Sequence, residues 1–180
     1  MTSQKYAYAV IRDTREKPDQ GWMFPKTELC SGTIIQKLDS GDYSISGLEA
    51  YVSIERKGSV NEFCTNLTQE RFVGPYDPAK PLDKQSEIVR LEGIRWPFIL
   101  LEFTVEDLIK YPNIPSVPPR LRHSIKFKGH AALKKIIELE MKYKTRIIFC
   151  GSKAKDVASS IFKRVIEQLE AEQNANKAKQ

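Results

Sequence analysis

The sequence predicts an α/β fold in which a mixed central sheet is flanked by helices. In the first third of the chain, short segments rich in β-branched and aromatic residues lie between glycine- and serine-containing turns, as in consecutive strands. In the last third, longer segments carry apolar residues at helical spacing, with short apolar runs among them. Strands that first follow one another and then alternate with helices are typical of a mixed sheet covered by helices.

Four strands are predicted in the first third. The turns DSGD and SGL separate the later ones and favour hairpin connections. We therefore expect the second, third and fourth strands to form an antiparallel meander. The four segments are YAYAVIR (6–12), GTIIQKL (32–38), DYSIS (42–46) and EAYVSIERK (49–57).

Helices and strands alternate in the rest of the chain. SVNEFCTNL and DKQSEIVRLEGI predict helices, and RWPFILLEF (95–103) is a continuous apolar run typical of a buried central strand. The segment 111–129 holds four of the ten prolines, which predicts an irregular connection. It is followed by a predicted helix (HAALKKIIELEMKY), a strand (TRIIFCG) and a long helix (SKAKDVASSIFKRVIEQLEAE).

Length and composition predict one intracellular, soluble domain over residues 1–170, with a disordered tail over residues 171–180. The 180 residues match one domain, and the polar tail has no large apolar residue to bury. Three cysteines without a Cys-x-x-Cys pair argue against disulfides and structural zinc. No apolar run is long enough to span a membrane, and a net charge of +6 favours an anionic partner such as nucleic acid.

The last predicted helix carries a broad apolar stripe. Packing against the sheet is the simpler interpretation, and a homodimer interface is the alternative. The stripe consists of Ala154, Val157, Ala158, Ile161, Phe162, Val165, Ile166 and Leu169.

Acidic residues recur at the ends of the predicted strands. Side chains alternate along a strand, so Glu55 and Lys57 point the same way. Asp42 opens the preceding strand of the hairpin, which brings its carboxylate near Glu55. Asp13 ends the first strand, and Glu16 lies in the loop after it.

Converging carboxylates predict a metal site for nucleic-acid hydrolysis. They repel one another unless a hard cation such as Mg²⁺ lies among them. A metal placed there lowers the pKa of a bound water for attack on a phosphodiester. Lys57, expected at an exposed strand end, would orient that water or offset developing charge. The competing interpretation is a solvated, charged loop, because an acid followed by Glu-x-Lys is a weak motif by itself.

Longer motifs resemble the nuclease domain of the XPF/Hef structure-specific endonucleases. The similarity lies in IRDTREKP, then GDY, then IERK, and continues in LTQERF and WPFILLEF, over residues 6–170. It implies a restriction-endonuclease-like fold, a mixed central sheet flanked by helices, with a Mg²⁺ or Mn²⁺ site at the sheet edge. The implied metal ligands are Asp13, Asp42 and Glu55, with Lys57 as the catalytic lysine and Arg15, Glu16 and Arg56 as supporting residues of the site.

Two positions depart from the family pattern. Asn61 stands where the family has its final aspartate, and Arg12 replaces an apolar residue before Asp13. Asparagine accepts hydrogen bonds but brings no charge, so the metal affinity or the orientation of Lys57 is expected to differ.

Several basic residues are candidates for DNA binding. Arg71 matches a family position, although an ordinary ion pair is the alternative. The basic cluster after residue 119 alternates with apolar residues and could line a DNA groove; the alternative is a solvated strand edge. Trp22 and Phe24 would stack on an unpaired base or pack in the core. The predicted DNA-binding set is Arg15, Arg71, Arg120, Arg122 and Lys126.

Together these observations predict a metal-dependent DNA endonuclease acting on branched or flapped DNA. The alternative is a catalytically silent module of the same fold that binds DNA or a partner subunit. Silent relatives lose the acids and the lysine, all of which are present here. An RNA-binding domain is less favoured, because no aromatic RNA-recognition signature is found.

Overall fold

The computed structural model describes residues 8–178, so Tyr6 and Ala7 of the first predicted strand lie outside the described residues. One six-stranded sheet has the order β2-β1-β3-β4-β5-β6, and helices cover both of its faces, which confirms the predicted fold class. The strands are β1 (Tyr8–Arg12), β2 (Cys30–Ile35), β3 (Tyr43–Ile45), β4 (Val52–Lys57), β5 (Trp96–Leu101) and β6 (Arg146–Phe149).

The predicted meander is wrong at β2. Strand β3 runs antiparallel to β4, as expected, but its other neighbour is β1, and β2 pairs in parallel with β1 at the edge of the sheet. A parallel neighbour requires a crossover of a dozen or more residues. The loop 13–29 between β1 and β2 is long enough for this crossover, and it buries Trp22 and Phe24 on the way.

Seven helices surround the sheet in residues 8–178, together with short 3₁₀ turns at Leu82–Lys84 and Gly151–Lys153. The helices are α1 (Val60–Asn66), α2 (Glu70–Val73), α3 (Glu87–Glu92), α4 (Val105–Lys110), α5 (Pro119–Arg122), α6 (Gly129–Lys142) and α7 (Ala154–Lys177).

Each face of the sheet has its own hydrophobic core. One core joins the sheet to α1, α2, α3, α4 and α6, and the other joins it to α7 and the loop 13–29. Both faces of β4 are consequently buried, not only the face of Val52 and Ile54. The charged residues on its other face therefore lie beneath helices and not in solvent.

Helix α7 packs along the second core and continues past the predicted domain boundary. Ala158 and Phe162 are fully buried, which confirms packing against the sheet. Residues 171–177 are helical, although the sequence predicted disorder from residue 171. Arg95 makes two hydrogen bonds to Glu172, at 2.7 and 3.0 Å, and this pair fixes the last turns of the helix near β5.

The proline-rich connection 111–129 is irregular as predicted, except for the four residues of α5. No helix within residues 8–178 combines the length and the apolar character needed to cross a membrane.

Candidate active site

The ends of three neighbouring strands bring the predicted carboxylates together. Because β3 is antiparallel to β1 and β4, its first residues lie beside the last residues of both. Asp13 N donates to Asp42 O at 2.8 Å, and Asp42 N donates to Ile54 O at 2.8 Å. Asp13, Asp42 and Glu55 therefore follow one another across one end of the sheet.

A tight turn fixes the position of Asp42. Gly41 has a φ of +75°, and a Cβ there would lie 2.1 Å from Ser53 Oγ, so the turn requires glycine. Ser53 Oγ donates to Ser40 O at 2.9 Å. From α3, Glu87 Oε1 accepts from Ser40 Oγ at 3.1 Å and from Gly41 N at 3.3 Å. Strand β4 and helix α3 thus hold the turn from two sides.

Glu87 and Arg90 are site residues that the sequence analysis missed. Arg90 pairs with Glu87, and its buried Nε has no hydrogen-bond partner among the described residues. Burial, and then the positive charge of Arg15, lower the pKa of Arg90. Their spacing of three residues signals only an ordinary helical ion pair, so their place beside the turn was not visible in the sequence.

Asp42, Glu55 and Lys57 form a group that we call the acid cluster. Lys57 Nζ donates to Glu55 Oε1 at 2.6 Å, and Asp42 Oδ2 accepts from Arg56 N at 2.8 Å. Burial, and then the negative charge of Glu55, raise the pKa of Asp42 well above its ordinary value. Burial alone would lower the pKa of Lys57, but Glu55 outweighs this effect and the pKa is raised.

Lys57 is buried, although the sequence suggested that it lies at an exposed strand end. Only 7% of the residue is exposed, and Nζ lies 4.8 Å from the centre of the Phe72 ring of α2. The lysine is therefore held between a carboxylate and an aromatic ring, where water competes weakly for its protons.

Both carboxylate oxygens of Asp13 accept hydrogen bonds. Oδ1 accepts from Arg15 N and Arg15 Nε, both at 2.7 Å, while Oδ2 accepts from Leu38 N at 2.6 Å and from the Arg15 guanidinium at 3.2 Å. Burial acts to raise the pKa of Asp13, but these donors outweigh it and the pKa is lowered. Asp13 thus holds Arg15 beside the acid cluster.

Arg56 and Glu16, predicted to support the site, belong to a separate group on the other face of β4. Arg56 contacts Glu16 at 2.7 Å and Glu102 at 2.7 and 3.0 Å. Trp22 Nε1 donates to Glu102 at 2.7 Å, and Tyr43 Oη donates to Glu16 at 3.5 Å. We call these five residues the buried network.

The alternation of β4 explains this separation, because successive side chains point to opposite faces. Arg56 therefore cannot point the same way as Glu55 and Lys57. Glu102 was missed by the sequence analysis; the signal was a single acid directly after the buried run of β5, the parallel neighbour of β4.

The acid cluster fits a divalent cation held by two carboxylates. Asp42 Oδ1 and Glu55 Oε2 accept no hydrogen bond from the residues described. Mg²⁺ binds one or two carboxylates and keeps several waters, and a cation would offset the charge that raises the pKa of Asp42.

A three-carboxylate site is not preformed. Within residues 8–178, no three His, Cys, Asp or Glu side chains are arranged to hold a metal ion. A ligand role for Asp13 requires Arg15 to release one of its oxygens, and the side chain of Arg15 is 59% exposed. Metal binding by Asp13 therefore stays a prediction.

The predicted DNA-binding residues occupy different environments. Arg71 is exposed, and its Nε donates to Gln69 at 2.6 Å. Arg122 donates to the carbonyls of Ile114 and Val117, each at 3.0 Å, and so shapes the connection 111–129. Arg120 and Lys126 are exposed; Arg120 lies on α5, whereas the sequence allowed a strand edge.

Trp22 and Phe24 do not form a base-stacking platform. They are 8% and 6% exposed and pack with Tyr43, with ring centres 4.9 and 5.9 Å from it. The core interpretation of these two aromatic residues is confirmed.

The fold resembles that of solved XPF structures. XPF from Aeropyrum pernix matches with a TM-score of 0.52 at 17% identity, over 89% of this chain and 60% of that chain. XPF from the same organism in complex with DNA matches with a TM-score of 0.52 at 18% identity, over 91% of this chain and 66% of that chain. At this identity the likeness concerns the fold. No family model and no curated protein matches the sequence.

Proposed function

We propose that the chain is a divalent-metal-dependent DNA endonuclease that hydrolyses phosphodiester bonds. The observation that carries the proposal is the acid cluster, in which the two carboxylates of Asp42 and Glu55 lie side by side with Lys57 in contact with Glu55. Asp42 is a buried acid beside a second acid, and its Oδ1 accepts no hydrogen bond from a described residue, so this placement has no evident role in stabilising the fold. The placement suits a site that a cation and a phosphate group complete.

The ligands of a bound Mg²⁺ or Mn²⁺ would be Asp42 and Glu55, with Asp13 as the third candidate. When bound, such an ion polarises a phosphoryl oxygen and makes a water more acidic. Lys57 holds positive charge at a fixed point next to Glu55, where it can orient a water or stabilise a developing negative charge. Arg15, held by Asp13 and largely exposed, is placed to contact a phosphate.

DNA is the proposed substrate, and branched or flapped DNA the proposed form. The XPF-like fold supports this choice, since one of the similar structures is XPF in complex with DNA. The net charge of +6 suits a polyanion. We also propose that the chain pairs as a homodimer through this domain, which light scattering would test by a mass twice that of one chain.

A catalytically silent DNA-binding or partner-binding module is the second candidate. It is favoured by the complete hydrogen bonding of Asp13 and by Asn61 in place of the family's aspartate. Such a module would bind DNA without needing a metal.

A cleavage assay separates the two candidates. Labelled flap, fork, duplex and single-stranded DNA are incubated with the protein in Mg²⁺, in Mn²⁺ and in EDTA. A nuclease cuts at least one substrate only when the metal is present. Binding in EDTA without cutting in either metal would establish the silent module instead.

A further inference from the structure

A cleft on the α4 and α6 side of the sheet carries positive charge outside the acid cluster. Its volume is about 660 Å³, and it lies between the end of α4, the connection 111–129 and the start of α6. We call it the basic cleft. The side chains that give it its charge are Lys110, Arg122 and Lys128.

No acidic residue is among the described residues that line the basic cleft. Lys110 and Lys128 are exposed, and neither forms an ion pair with a described residue. Asp107, one turn before Lys110, is the nearest acid along α4, and it caps that helix through Thr104. Within the described residues, the chain therefore places no acidic side chain in the cleft wall to offset its positive charge.

The walls of the basic cleft are held rigidly. A Cβ at Gly129 would lie 2.0 Å from Leu108 O, so α4 and α6 approach as closely as a glycine permits. Gly129 N also donates to Tyr111 O at 3.0 Å. Because both lysines project from this fixed frame, little conformational entropy of the backbone is lost when an anion binds.

The basic cleft is linked to the acid cluster through α1. Lys57 ends β4, and α1 follows directly; on α1, Asn61 Oδ1 accepts from Tyr111 Oη at 3.2 Å. Tyr111 lines the cleft. Helix α4 begins just after β5, the parallel neighbour of β4, and its last residues line the cleft.

We propose that the basic cleft binds the phosphate backbone of DNA at a point outside the acid cluster. This inference rests on the proposed function. A phosphate backbone suits the cleft better than a small anion does, because the cleft is about 660 Å³ in volume and is lined by several basic side chains. Arg122, already bound to two backbone carbonyls, serves as a wall, while Lys110 and Lys128 make the phosphate contacts.

The test measures the affinity of the full chain for a flap duplex in EDTA at several salt concentrations. Each phosphate contact steepens the fall of log K with log salt by about 0.9. The double variant Lys110→Gln with Lys128→Gln should lose about 1.8 from this slope and bind about tenfold more weakly in low salt. Lys110→Arg with Lys128→Arg should keep the wild-type slope.

The matched control removes two lysines from the opposite face of the sheet, by Lys153→Gln with Lys163→Gln beside and on α7. Its slope should equal that of the wild type, and thermal unfolding should show all variants folded. An equal loss in this control would overturn the inference, because the effect would then come from net charge alone.

Two further outcomes separate this inference from the nuclease proposal. If the wild type binds DNA but cuts none, and the cleft variant loses slope, the inference stands while the nuclease proposal fails. If the wild type cuts DNA and the cleft variant keeps its slope, the inference is overturned while the nuclease proposal stands. Loss of binding to a polyglutamate peptide with unchanged DNA binding would also overturn it, in favour of an acidic protein segment.

Discussion

The carboxylates on the two faces of strand β4 differ in how many hydrogen bonds they accept. On one face, the carboxylates of the buried network accept five hydrogen bonds, three of them from Arg56. On the other face, the carboxylates of the acid cluster accept two, one from Lys57 and one from a backbone amide. Residues that are adjacent in the sequence therefore experience different electrostatics.

We infer that this difference separates charges that hold the fold from charges that would serve a ligand. In the buried network every carboxylate is bound by Arg56, so its ionised form is stabilised. In the acid cluster, burial and the charge of Glu55 oppose the ionisation of Asp42. A protein gains no stability from that arrangement, which is why we assign chemistry to this face and support to the other.

Removal of Arg56 should give the largest effect. Arg56→Met leaves Glu16 and Glu102, whose side chains are 13% and 22% exposed, without their cation. The free energy of unfolding should fall by about 3–5 kcal/mol, the usual cost of breaking a buried ion pair from one side. Urea denaturation measures this loss. Arg71→Met, at an exposed position, is the control and should change stability by less than about 0.5 kcal/mol.

A loss below about 1 kcal/mol for Arg56→Met would show that the buried network does not stabilise the fold. The stabilising role that we assign to the Arg56 face of β4 would then be wrong.

Glu55→Gln should act on cleavage more than on stability, because the negative charge of Asp42 still lies near Lys57. The amide keeps the shape of the side chain but removes one charge from the acid cluster, so cutting should fall by about 10² or more, equivalent to about 2.7 kcal/mol. DNA affinity in EDTA should hold or rise, because the carboxylate opposes phosphate binding. Cleavage rates and binding isotherms on the same flap substrate measure both quantities.

Glu102→Gln provides the matched change on the other face. It should lower the free energy of unfolding by about 1–3 kcal/mol, since Arg56 loses a charged partner, while the folded protein keeps most of its cutting activity. If instead Glu102→Gln abolishes cutting and Glu55→Gln does not, the two faces have been assigned the wrong way round.

The alternation of side chains along a strand made the acid cluster predictable from the sequence. Alternation along β4 placed Glu55 and Lys57 together, and the short hairpin placed Asp42 beside them. The same alternation put Arg56 on the opposite face, but the family motif grouped it with its neighbours. Local spacing therefore gave a better guide to the orientation of Arg56 than the motif did.

Long-range partners account for what the sequence did not show. Glu102 meets Arg56 only because β5 pairs in parallel with β4, and Glu87 reaches the turn at Gly41 only because α3 packs there. Both contacts join residues 46 positions apart. The place of β2 was missed for a similar reason, since pairing at the edge of a sheet depends on where a long loop returns the chain.

Asp13→Asn should give an intermediate, pH-dependent effect on stability. The donors around Asp13 lower its pKa in the folded state, so its carboxylate adds stability above the ordinary pKa of aspartate, and this stability is lost as the pH falls through the folded pKa. Near pH 7 the variant should unfold about 1–3 kcal/mol more easily. Below about pH 4 the difference from the wild type should shrink.

Chemical denaturation across this pH range measures the difference. An equal loss at every pH would mean that the amide disturbs packing and not charge. Unchanged stability at pH 7 would mean that Asp13 resembles the acid cluster more than the buried network, which would strengthen its candidacy as a metal ligand.

Asn61→Asp should give the smallest effect. The residue is exposed in the first turn of α1, and its Oδ1 accepts from Tyr111 Oη, which an aspartate would also do. The added charge near a helix N-terminus should stabilise the protein by less than about 1 kcal/mol. Because Asn61 contacts Tyr111 and neither Lys57 nor Glu55, cleavage should change by less than about threefold, or about 0.6 kcal/mol. Cleavage of one flap substrate by both proteins measures this, with Asn61→Gln as the uncharged control.

The contradicting outcome is a wild type that binds DNA without cutting it and a variant Asn61→Asp that cuts. The acid cluster would then be an inactive nuclease site that lacks one negative charge.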